Sequence, residues 1–234
     1  LPHELKDAAT EIVVATLSSR VTQIKRNGDD PLSLIQDVGT ALASTRGSIL
    51  QLSALALDWQ GSNVTPDDVK TILRRLQVQD GWNEMNRIAH RLGFQIPSAL
   101  AAFQRLRDNR HRSAHNAGTD VDVMDVRAMP ADILILASCF DCLSSEAARK
   151  LRDGDSGYLA GTVVKHADIK LRFLESRGSQ VAKLAENSQR AVKVCPDGAT
   201  AYSNAIVRAR SAGEVLVWRD GRRQVTNWEP AQLP

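Results

Sequence analysis

Aromatic residues make up only 4% of this 234-residue chain, so its core has few rings and must be filled by Leu, Ile, Val and Ala. That composition suits packed helices better than a sheet sandwich. Cysteine is scarce as well: the three present, Cys139, Cys142 and Cys195, cannot all pair within one chain, which points to a reducing compartment. No apolar run reaches eighteen residues and no secretory pattern is visible at the N-terminus, so a cytoplasmic protein without a membrane span is expected. Charge of one sign is also lacking, since 30 Lys and Arg face 27 Asp and Glu for a net +3. So slight an excess permits a nucleic-acid partner without demanding one, and local arrangement matters more than the sum. What is there, 43% hydrophobic and 24% charged residues, is ordinary globular usage and excludes a wholly disordered chain. Neither an internal repeat nor a low-complexity segment is visible.

Apolar spacing predicts helices over residues 4–25 and 31–59. A third begins at Thr65-Pro66-Asp67-Asp68, with Thr65 as N-cap, Pro66 in the first helical position and an acid three residues after the cap. A fourth covers 81–92 and ends at Gly93, a fifth starts at Pro97, and an apolar sixth runs from Pro130 to about residue 152. The turn-rich stretch Asp153-Gly154-Asp155-Ser156-Gly157 is the best candidate boundary and divides the chain into 1–154 and 155–234. Beyond it, residues 166–194 read as amphipathic helix anchored by Leu171, Leu174, Val181, Leu184 and Val192, and residues 199–210 as a short helix. The alternation around Asp220-Gly221 reads as a β-hairpin. The expectation is a mainly α protein with a small C-terminal helix-plus-hairpin appendage. Arg219, Arg222 and Arg223 crowd the hairpin tip, either as an RNA-contacting finger helped by Trp218 or Trp228, or on a soluble hairpin that packs those rings.

Chemistry rises above scaffolding in residues 106–118, LRDNRHRSAHNAG. Ala99, Phe103 and Leu106 follow a buried helical spacing whose next member is Arg110. His115 lies roughly 140° round from Arg110 in an unbroken helix, so the two converge only where the helix ends or distorts, or where a second copy contributes. Asn116, Gly118 and Thr119 are suited to end it. RNA carries its own nucleophile, the 2′-hydroxyl, so its cleavage needs one group to move a proton and another to stabilise the crowded phosphate. Imidazole and guanidinium suit those tasks. An Arg and a His can equally cap a helix C-terminus. Arg105, Arg107, Arg110 and Arg112 make either a phosphate-contacting face or a solvated one. Cys139 and Cys142 form a C-x-x-C inside an apolar helix, where packing is preferred over redox or zinc chemistry with His111 and His115.

Arg110, a polar residue at 111, three intervening residues and His115, ending in Ala114-His115-Asn116, resemble the signature of HEPN domains. The Asn63-Val64-Thr65 helix start and the leucine-rich helix after it are similar to the RiboL-PSP-HEPN branch over roughly residues 5–152. The resemblance implies an all-α bundle, a homodimer with two motifs facing one cleft, and metal-independent endoribonuclease activity in toxin, antiphage or RNA-processing systems, without a cofactor. Carried onto this chain, Arg110 and His115 are catalytic, and His111, Asn116, Asn109, Arg112 and Arg107 support catalysis or hold RNA. RNA, a second copy and a cognate antitoxin or defence protein are the implied partners. Some HEPN domains are inactive, so a non-catalytic RNA- or protein-binding module, an antitoxin or assembly domain, stays open.

Overall fold

A computed structural model of the chain describes residues 36, 64–115, 122–186, 188 and 190–230, and only the backbone of 113–115. Apart from Gln36, the helices expected over 4–25 and 31–59 lie outside these residues. The described helices are α1 (Pro66–Arg75), α2 (Gly81–Leu92), α3 (Ala99–His115), α4 (Val123–Arg152), α5 (Ser156–Leu159) and α6 (Gly198–Ala212). The strands are β1 (Lys170–Arg177), β2 (Gln180–Ala185), β3 (Lys193–Cys195), β4 (Glu214–Arg219) and β5 (Val225–Glu229). Two compact units emerge, Leu1–Gln77 with Ala148–Val163, and Val78–Ala147 with Val164–Pro234.

In the first unit α1 starts where its spacing predicts. Thr65 accepts from the Asp68 amide at 3.2 Å while the Asp68 carboxylate accepts from the Thr65 amide at 2.7 Å. This reciprocal box satisfies two otherwise orphan donors and contributes about 1 kcal/mol. Val69 and Leu73, four residues apart, form its buried face. The Tyr158 hydroxyl donates to Leu76 O at 3.3 Å, satisfying a carbonyl that the end of α1 leaves free, and burial pushes this phenol up to about 12.

The second unit overturns the mainly α expectation. It contains a five-stranded mixed sheet in the order β3-β2-β1-β4-β5, of which the expected hairpin is only one edge. β1 pairs antiparallel with β2 and parallel with β4, and α6 lies between β3 and β4 in the chain. Residues 166–194 had the apolar content of a helix but fold with a period of two. Leu171, Phe173 and Glu175 share one face with their β4 partners Val215, Val217 and Arg219, while Leu174 packs on the other with Leu216 under α6. Gly178, at φ +64°, makes the two-residue turn that closes β1 on β2 between Arg177 and Gln180. Both sheet faces are covered, which is why Leu171, Phe173 and Leu174 are all buried in sequence and mimic helical spacing. Helix α4 also begins earlier than expected, at Val123, and carries Pro130 inside it.

On the α6 face a charge pair replaces apolar packing. Arg172 donates two bonds to Glu214 at 3.0 and 2.6 Å, with both side chains only 11% exposed. Burial pushes the Glu214 carboxyl up, but Arg172, helped by Arg208 and Lys183, holds it below its usual value.

Candidate functional site

The motif helix α3 is positioned at both ends. At its start Asn86 on α2 accepts from the Ala99 amide at 2.6 Å and Ser98 accepts from the Ala101 amide at 3.0 Å. Trp82 and Phe103 meet edge-on with centroids 5.7 Å apart. Further along, the Arg105 fork grips Asp132 on α4 at 3.1 and 2.6 Å, and Arg112 reaches Asp125 at 3.2 Å. Arg105, Asn109 and Arg112 are spaced at four and three residues, so one helical row faces α4. The hydrogen bond to Asp132 makes the Arg105 guanidinium still more basic.

This arrangement sorts the expected site residues. Asn109 is buried at 4% exposure and accepts from Arg112. Arg110 and His111 are exposed, so the apolar row does not continue at Arg110. Arg107 is exposed and pairs with its neighbour Asp108 at 2.8 Å. The backbone of α3 stays helical through His115, which leaves Arg110 and His115 about 140° apart round one helix. Within one copy they do not share a helical face. The side chain of His115, Asn116 and the expected helix ending at Gly118 and Thr119 lie outside the described residues.

The sheet, the end of α2 and the neighbouring faces of α3 and α4 enclose a cleft of about 1020 Å³. Five arginines line it, Arg91, Arg105, Arg219, Arg222 and Arg223, against the carboxylates of Asp132 and Glu175. Arg91 is committed to structure: it binds Glu186 at 2.7 and 2.8 Å and donates to Ile169 O at 2.6 Å and to His166 O, fastening α2 to β1 and β2. Arg219 is also turned inward. Its Nη2 donates to Leu92 O at 2.7 Å and Arg91 O at 3.3 Å, and its guanidinium lies 3.5 Å from the centre of the Phe173 ring. Burial lowers its pKa, and its buried Nε has no partner among the described residues. Gly93, at φ +94°, ends α2, and a Cβ there would come within 3.4 Å of the Arg219 tip.

The hairpin rings are packed. Trp228 donates to Asp141 on α4 at 2.8 Å, and Trp218 stacks on Tyr202 of α6 with centroids 5.8 Å apart. Arg222 and Arg223 alone of the three hairpin arginines are exposed. Short-range patterns marked the hairpin and its basic tip; nothing local could mark Arg91, whose partner Glu186 lies 95 residues away.

Cys139 and Cys142 are buried core thiols, as packing predicts. Burial pushes Cys139 up to about 12 and Cys142 well above its usual value, so neither offers a thiolate. Among the described residues no group of three or more His, Cys, Asp or Glu could hold a metal ion, and no helix is long and apolar enough to cross a membrane. No protein-family model, curated protein or solved structure matches the chain.

Proposed function

We propose that this chain is a metal-independent endoribonuclease of the HEPN kind, acting through Arg110 and His115 in a cleft that two copies build together. The observation that supports it is the unbroken course of α3 through His115, held against α4 by Arg105 and Arg112, with Arg110 and His111 on exposed positions. A firmly docked helix presents its outer face with little loss of order on binding, which is what phosphate positioning requires. The wide angle between Arg110 and His115 is resolved by a two-fold partner whose motif meets the first.

In this mechanism His115 takes the proton of the 2′-hydroxyl, whose oxygen attacks the adjacent phosphorus. The bond to the 5′-oxygen breaks and that oxygen takes up a proton from water, giving a 2′,3′-cyclic phosphate and a 5′-hydroxyl, while the proton held by His115 passes to solvent. Arg110 stabilises the charge gathering on the phosphate, and His111 or Asn116 positions it. The protein works in the cytoplasm, with RNA and a toxin, defence or processing partner. His115→Ala and Arg110→Ala abolish cleavage in chelator while leaving the helical circular-dichroism signal intact; a requirement for magnesium, or equal cutting of DNA, contradicts the mechanism.

A second reading, a non-catalytic RNA- or protein-binding module of the antitoxin or assembly type, is favoured by the same angle, because one copy alone does not bring the pair onto one face. Cleavage by the wild type decides between the two.

A further inference from the structure

The cleft between the sheet and α2, α3 and α4 has two unlike banks. One is cationic, with Arg222 and Arg223 exposed at its mouth beside Gln224. The Arg222 guanidinium has no ion pair among the described residues, although Asp220 accepts from its backbone amide at 2.9 Å, and Arg223 stands 3.6 Å from Glu175, which Arg177 also holds at 3.0 Å. The other bank is apolar and follows the end of α2: Phe94 and Ile96, both half-buried, and Pro97. Arg91 and Arg105 are already paired with Glu186 and Asp132, whose charges offset theirs, while the half-buried Arg219 donates to backbone carbonyls. Guanidinium forks suit phosphate oxygens, and an aromatic bank beside them suits the flat face of an unpaired base. A duplex would present only its backbone and leave the apolar bank unused.

We propose that this cleft binds a short segment of single-stranded RNA, its phosphates on Arg222 and Arg223 and a base against Phe94. This deepens the reading of RNA as substrate and rests on it. The site takes in Arg105 of α3, and Arg110 is not among the residues that line it. It holds the strand, whereas the motif cuts it.

The test uses the full chain and a fluorescent 2′-O-methyl RNA twelve-mer, which has no nucleophile and so reports binding without cleavage. Fluorescence anisotropy is measured across a salt series for the wild type and for Arg222→Gln/Arg223→Gln. Both side chains are exposed, and an unchanged melting curve verifies folding. The expected result is a Kd at least tenfold higher in the double variant, with a logarithmic salt slope shallower by about 1.4, two contacts at about 0.7 each. An unchanged Kd and slope overturns the site, as does wild-type binding to duplex RNA or polyglutamate as tight as to the single strand. Cleavage of ordinary RNA is read in parallel. If the wild type does not cut but the double variant still loses binding, the cleft stands and the nuclease reading falls. If cutting depends on Arg110 while the double variant binds normally, the cleft falls and the nuclease reading stands.

Discussion

Replacing Arg219 by alanine removes the side chain that joins the β4–β5 hairpin to the end of α2. The 2.7 Å bond to Leu92 O has a charged donor in a half-buried setting, and such bonds are worth about 1.5–3 kcal/mol. The stack on Phe173, 3.5 Å from the ring centre, adds about 0.5–2 kcal/mol. Against these stands about 1 kcal/mol regained when a partly desolvated guanidinium with an unpartnered Nε is removed. The net expectation is a loss of about 1–4 kcal/mol, or about 2–16 °C in melting temperature for a chain of this size. Equilibrium urea unfolding measures it, and amide exchange at Gly93 and Phe94 locates it, since the Leu92 carbonyl loses its donor there. Arg219→Lys should recover only part of the loss, because an ammonium can donate to the carbonyls but does not stack flat on the Phe173 ring. A loss below about 0.5 kcal/mol, with unaltered exchange at the end of α2, would refute the reasoning and return Arg219 to the exposed finger its neighbours form.

The Arg172–Glu214 pair carries a second prediction: Arg172→Met strands a buried carboxylate and costs about 3–5 kcal/mol, much of which Arg172→Met/Glu214→Leu restores in urea titrations. Because Glu214 is held below its usual pKa when folded, its contribution is present above the ordinary glutamate range and is lost as pH falls through the depressed value; Glu214→Gln should therefore flatten the acid limb of the stability profile. Arg223 sits at φ +64°, where glycine is favoured, so Arg223→Gly should leave stability unchanged or raise it by up to about 1 kcal/mol while weakening RNA binding; a clear loss of stability would show that its contact with Glu175 dominates.

Elements whose ends are local were legible. Thr65, Pro66 and Asp68 announce α1, Gly93 stops α2, and Asp220-Gly221 turns the hairpin, because capping and turn chemistry act within a few residues. The sheet was missed for a physical reason. Strands buried on both faces lose their alternation, and Leu171 and Leu174 then fall at a helical interval. The overlooked signal was Gly178-Ser179, a two-residue turn flanked by apolar runs. The parallel pairing of β1 with β4 had no local signal, since it joins residues more than forty apart, such as Lys170 and Glu214. At the candidate site, the cation cluster was legible but its division was not. Arg105 and Arg112 are spent on Asp132 and Asp125, and only the folded spacing of α3 and α4 separates them from Arg110.

The central claim, RNA cleavage by an Arg110–His115 pair assembled from two copies, is tested most directly by mixing two inactive variants. Arg110→Ala and His115→Ala are combined, allowed to exchange subunits, and assayed on single-stranded RNA in chelator for 2′,3′-cyclic phosphate ends. Mixed dimers then rebuild one intact site from an Arg110 of one copy and a His115 of the other, so activity should return to about a quarter of the wild-type level. A mixture as inactive as its components, beside an active wild type, would contradict the composite site, and a wild type that leaves the RNA whole would contradict the nuclease itself.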